Sequence, residues 1–199
     1  MQLSRLVPPL LAALVLGACF PENIQRYAGG SDPFGATDPS PDTRPLVQVV
    51  NDYRVAKGLP AIPVSRSLTI IAQKHVDDLE RNAPANGVCI LHSWSNKGPW
   101  TPCCYTEDNA QAGCMWNKPR EITNDVYDSN GYEIAMGMRG GRATTQGALD
   151  AWRGSPAHLA VVLNQGPWAN LEWKSVGAAI SDHYAVVWFG EEADPAGSP

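Results

Sequence analysis

Four histidines, His75, His92, His158 and His183, are the side chains here best suited to acid–base or ligand chemistry, because imidazole changes charge near neutral pH. They share no short metal motif: no His-Glu-x-x-His occurs, and no Gly-x-Ser-x-Gly marks a serine nucleophile. Any site they build is therefore assembled by folding. His92 stands in "CILHSWSNKGPW", residues 89 to 100, with Ser93 beside it and Trp94 next. A hydroxyl beside an imidazole is the minimum for an activated nucleophile, and Trp94 and Ser93 are the expected lining of a cleft around His92. His75 falls on the apolar stripe of a helix, where a histidine satisfied by a backbone carbonyl is the commoner case. It is left out of the site. His183 belongs to a Ser-Asp-His turn and is expected in solvent.

Five cysteines carry the other chemistry, and their meaning depends on compartment. Residues 1–18, within "MQLSRLVPPLLAALVLGAC", have an early arginine, a short apolar core and small residues at Gly17 and Ala18, the layout of an export signal rather than a membrane span. Leu16-Gly17-Ala18-Cys19 resembles a bacterial lipobox, which predicts lipidation at Cys19 and a membrane anchor at the N-terminus. Ordinary cleavage nearby would leave Cys19 a free thiol. Residues 19–43 are rich in Pro, Gly, Ser and Asp and read as a disordered tether. Phe20 rather than aspartate after the cysteine fits outer-membrane delivery, facing the periplasm, where the host has two membranes, and the cell surface otherwise.

Cys89, Cys103, Cys104 and Cys114 remain, an even set in an exported chain, which reads as two disulfides. A vicinal Cys103–Cys104 bridge would strain the peptide between them. Cys89 is therefore expected to pair with one of the two and Cys114 with the other. A zinc site is the alternative, since "PCCYTEDNAQAGC" supplies three thiols, but it has no Cys-x-x-Cys pair.

The elements that must position these groups can be read from periodicity. About 150 residues follow the tether, enough for one domain with its own core, spanning 44–194 with 195–199 as a tail. The apolar share is 44% and the net charge −5, with no basic cluster, so the chain has no electrostatic footprint for nucleic acid. Leu46, Val49, Val50 and Tyr53 recur at helical spacing before Gly58, and a second helix opens at a Ser65 cap with Leu68, Ile71, Ala72, His75 and Leu79 on one face. From 82 to 142 the chain reads mostly as loop, stapled by its cysteines. Thr144 or Thr145 caps a third helix that points Leu149 and Trp152 inward, and the break at Gly154-Ser155-Pro156 starts a new turn near His158. "SVGAAISDHYAVVWFGEE" reads as two strands around a tight turn.

Taken in order, "NDYRVAKGLP", "IAQKHVDDL", "LHSWS", "GYEIA", "ALDAWRGSPAHLAVVLN" and "VGAAISDHYAVVWFG" resemble the CAP superfamily: cysteine-rich secretory proteins, antigen 5 and pathogenesis-related 1, in a bacterial lipoprotein form. The strongest piece is Trp152, Ser155, Pro156 and His158 followed by Leu163 and Asn164. The resemblance implies an α+β fold, a three-layer α-β-α sandwich around an antiparallel sheet, with a cleft holding two histidines and two acids. It selects His92, Glu133, His158 and Glu191. Around Glu133 the family's Gly-Glu-Asn is replaced by Gly131-Tyr132-Glu133-Ile134, and a one-residue slip would exchange Glu191 for Glu192.

Two imidazoles and two carboxylates suit a divalent metal, zinc, copper or nickel, with His92 and His158 as ligands and Glu133 and Glu191 adding charge. They suit equally a metal-free cluster in which carboxylates charge or orient the imidazoles. Three function classes follow. The first is a binding module for a lipid, sterol, glycan or peptide, for which the tryptophans, Met136 and Met138 offer an adaptable apolar surface. The second is an envelope hydrolase, a peptidase or esterase whose catalytic candidates are His92, Glu133, His158 and Glu191, through metal-bound water or a hydroxyl such as Ser93. The third is a structural envelope protein with an inactive cleft. Binding is the favoured class.

Overall fold

The computed structural model describes residues 43–199. The expected export signal, Cys19 and nearly all of the expected tether lie outside the described residues. The first helix, α1 (Thr43–Ala56), buries Leu46, Val47 and Val50 and stops at Gly58, whose φ of +80° a side chain would resist. The second, α2 (Arg66–Asn82), starts where the Ser65 hydroxyl accepts from the Leu68 N–H, and buries Leu68, Ile71, Ala72, His75 and Leu79. Thr144 likewise caps α5 (Thr145–Arg153), and the Ser155-Pro156 break opens α6 (Pro156–Val162) with His158 in its first turn. After a 3-10 turn (Gly166–Trp168) come β2 (Ser175–Ile180) and β3 (Tyr184–Gly190).

The stretch expected to be loop is more ordered than its composition suggests. It holds two short helices, α3 (Ala112–Trp116) and α4 (Lys118–Thr123), and a full strand, β1 (Gly131–Gly137). The strand is invisible to period-two reading because most of its residues, on both faces, are buried. It pairs antiparallel with β3, as does β2, giving the order β1-β3-β2. One sheet face carries Ile134, Met136, Val187 and Phe189 against α1, α5 and α6. The other carries Ala135, Val186 and Trp188 against α2 and the disulfide-bearing segment. This is the α-β-α sandwich.

Helix α2 lies almost on the sheet. A Cβ at Gly177 of β2 would fall 2.2 Å from the Leu68 carbonyl carbon, so glycine here sets the depth at which α2, and with it His75, approaches β1 and β3.

The start of α2 is also held by the end of the chain. Asp194 accepts from the Ser67 N–H at 2.7 Å, the Ser65 hydroxyl at 2.6 Å and the Ser67 hydroxyl at 2.8 Å. A carboxylate at a helix N-terminus satisfies orphan donors and meets the positive end of the dipole. Asp194→Ala is expected to cost about 1–2 kcal/mol, read as a lower urea midpoint, and an unchanged midpoint would show that this cap contributes nothing.

Candidate functional site

The centre of the site is Glu133. Its place on β1 opposite Trp188 turns it to the α2 side of the sheet, where its side chain has no exposed surface. Its Oε2 lies 3.0 Å from His75 Nδ1 and its Oε1 lies 3.7 Å from His92 Nδ1. Neither contact is in line for a hydrogen bond. At 3.0 Å charge attraction still acts, because it depends on distance more than angle. Burial alone would raise the Glu133 carboxyl pKa, but the His75 charge and the two facing imidazoles outweigh it and hold the group below its ordinary value.

His75, omitted from the expected site, is therefore its deepest member. The backbone carbonyl expected for it is present: Nε2 donates to Ser93 O at 3.0 Å. With Nε2 committed as donor, a proton must lie on Nδ1 or on Glu133 Oε2 for their close contact to be favourable. Trp94 stacks on the ring at 4.2 Å between centroids and 8° between planes. The signal that could have exposed His75 was spacing along α2, which sets it over the sheet facing β1, but an apolar helical stripe gives no hint of a carboxylate across from it.

His92 follows in the segment closed by Cys89–Cys104, while Cys103–Cys114 ties the same segment to α3. All four cysteines are thus bonded to each other, and no thiol trio is left for zinc. Backbone bonds add to the clamp: Ile90 N–H to Tyr105 O at 2.8 Å, Trp94 N–H to Cys103 O at 2.8 Å and Cys103 N–H to Trp94 O at 3.0 Å. His92 keeps 14% of its side chain exposed, whereas the side chain of Glu133 has no exposed surface. Tyr105 stands edge-on to it at 5.1 Å, its phenol raised above its ordinary pKa by burial and by the Glu133 charge. His158 arrives from α6, within electrostatic reach of both groups. Burial, then the His92 charge, lowers its pKa, against the pull of Glu133, so the neutral imidazole is favoured.

The structure thus gathers His92, Glu133 and His158 and adds His75. Glu191 stands elsewhere, one residue past β3, where its Oε1 accepts from the Tyr132 hydroxyl at 2.6 Å. Glu192 lies 3.8 Å from Lys174. Ser93 is 1% exposed, and its hydroxyl oxygen accepts from the Tyr105 N–H at 2.9 Å; Trp94 is 2% exposed. Both are core. His183 is half exposed and held by Glu80, whose Oε2 lies 3.0 Å from its Nδ1. Among the described residues no three His, Cys, Asp or Glu side chains converge as a metal-ligating group. His75 Nε2 is spent on Ser93 O, and no step is routed through a metal.

The family model of cysteine-rich secretory proteins (CAP) matches residues 47–185. No curated protein matches the chain. Among solved structures, an extracellular protein containing an SCP domain from Bacillus anthracis is 14% identical with a TM-score of 0.52, over 76% of this chain and 40% of that one. An outer surface protein from Borrelia burgdorferi is 16% identical with a TM-score of 0.48, over 78% of this chain and 96% of that one. A cysteine-rich secretory protein from Staphylococcus aureus is 13% identical with a TM-score of 0.48, over 79% and 41%. This chain spans about two-fifths of the Bacillus and Staphylococcus proteins, and the Bacillus likeness speaks to fold alone. Matched over most of its length by the family model, the chain belongs to the cysteine-rich secretory protein (CAP) family.

Proposed function

We propose that the protein is an exported binding module that holds a polar group of a lipid, sterol, glycan or peptide at His92 and His158 and does not turn it over. The observation that carries this reading is the burial of Glu133. A carboxylate with no exposed surface, facing two imidazoles, cannot take a proton from a substrate directly; it orients the histidines. Ser93, the hydroxyl candidate for nucleophile, is enclosed and already accepts a backbone hydrogen bond. What reaches solvent is the His92 imidazole beside His158, a pair suited to donating to a ligand's carbonyl, phosphate or hydroxyl oxygen.

Two disulfides support export, since such bonds persist in oxidising compartments. Anchoring at Cys19, at the periplasmic face of an outer membrane where the host has one, completes the proposal. Fractionation tests that part: Cys19→Ser is expected to leave the membrane fraction, and unchanged membrane association would remove the anchor from the reading.

The cleft is tested by NMR titration of the histidine ring protons with phospholipid, sterol, oligosaccharide and peptide probes. The His92 signal is expected to shift saturably with one class, and affinity to fall about tenfold in His92→Ala, the loss of one hydrogen bond to a charged group. Turnover of an ester or peptide panel that disappears in His92→Ala and His158→Ala would replace binding with hydrolysis.

A further inference from the structure

Apart from the histidines, at the edge where β1 meets the 3-10 turn, aromatic rings gather round a carboxylate. Tyr132 is flanked by Trp116 at 5.6 Å and by Trp168 at 5.1 Å between centroids, with interplanar angles of 61° and 69°. Trp173 closes the cluster from behind, 5.4 Å from Tyr132, buried and donating its indole N–H to Val161 O at 2.8 Å. The outer two tryptophans differ. Trp116 and Trp168 are half-buried, and among the described residues neither indole N–H has a protein acceptor or is sealed from water.

Glu191 completes the group. It takes the Tyr132 hydroxyl through Oε1, and among the described residues it has no cationic partner. Burial and the Glu191 contact push the Tyr132 phenol up to about 12, so the phenol stays a donor and Oε2 remains open to a second one. Past Trp116 the surface continues into a shallow hollow of about 480 Å³, walled in part by Thr101, Asn117 and Asn130.

We propose that this strip is a saccharide-binding surface for a neutral or N-acetylated oligosaccharide, with sugar rings stacked on Trp168 and Trp116 and a sugar hydroxyl donating to Glu191. A pyranose has an apolar C–H face that suits an indole, and hydroxyls that both donate and accept, which matches free indole N–H donors beside a free carboxylate acceptor. Amide side chains in the adjoining hollow extend the same chemistry to a second ring or an N-acetyl group. The unpaired Glu191 charge opposes uronic acids. Proline-rich peptides also dock on aromatic strips, but they bring carbonyl acceptors and no hydroxyl for Glu191.

The test is titration of the full protein with a β-1,4-linked N-acetylglucosamine tetramer, a glucose tetramer and a uronic acid tetramer, followed by tryptophan fluorescence and calorimetry. At least one of the first two is expected to bind saturably and the uronic acid not at all. Trp168→Ala and Trp116→Ala are each expected to weaken binding about tenfold or more, in the range of stacking losses measured for aromatic platforms, and Glu191→Gln several-fold. Trp168→Phe and Glu191→Gln preserve packing, so a loss in them reads recognition rather than folding. Absence of saturable binding to both neutral sugars, affinity unmoved in all four variants, or binding confined to a proline-rich peptide probe would each overturn the proposal. It does not rest on the histidine cleft: the His92 titration is expected to be unaltered in Trp168→Phe, so the two readings fail separately.

Discussion

Glu133→Ala is expected to destabilise the protein by about 3–5 kcal/mol, the range for breaking a buried charge pair by removing one partner. Both partners are sealed, with side-chain exposures of 0% for His75 and 0% for Glu133, so water cannot replace the lost carboxylate. His75 cannot swing out to find it either, being stacked under Trp94 and tied to Ser93 O. Urea unfolding gives the value as a lower midpoint at unchanged slope. Glu133→Gln separates charge from volume: it fills the space but leaves the imidazole without its counter-charge, and is expected to cost a large part of the same amount.

The pH dependence has a definite sign. The Glu133 pKa is lowered in the folded protein, so its contribution is fully present above the unfolded carboxylate pKa of about 4.3. It is lost as pH falls through the lower, folded value. Wild type is therefore expected to lose stability between about pH 4.3 and that lower value more steeply than Glu133→Gln does. Parallel acid curves for the two proteins would show that the pair is not ionised in the native state.

How much of this was legible in the sequence follows from which signals are local. The caps at Ser65 and Thr144, the Gly58 stop and the Ser155-Pro156 break are written in adjacent residues, and the helices begin and end where those residues place them. Strand β1 was not legible as a strand, because Gly131-Tyr132-Glu133 begins amid turn-formers and its buried faces erase alternation. Family resemblance, not periodicity, brought Glu133 forward. The same resemblance placed Glu191 with the histidines, whereas the fold sets it on Tyr132, a long-range contact fixed by the β1–β3 register. His75 shows the converse. Its burial is plain from the helical stripe, but its role depends on β1, a strand whose buried faces carry no period-two signal.

Removing both disulfides is the other large effect expected. Cys89–Cys104 closes a separation of 15 residues and Cys103–Cys114 one of 11. Chain-entropy arguments give about 3 kcal/mol for a loop near that length. The two loops share the turn at Cys103-Cys104, so their contributions overlap and about 5 kcal/mol is expected for the pair. A domain with the usual 5–15 kcal/mol of stability would then be close to unfolding. Calorimetry with and without reductant checks the total, and unfolding that is indifferent to reductant would refute it. The single bridges separate stability from site. With Cys89→Ser and Cys104→Ser, the Ile90–Tyr105 and Trp94–Cys103 backbone bonds still hold the segment, so His92 is expected to keep its NMR titration while the melting point falls. With Cys103→Ser and Cys114→Ser, the tie to α3 goes and the ladder around Trp94 loses its anchor. Trp94 is the ring that covers His75, so this second pair is expected to disturb the buried imidazole as well as the fold.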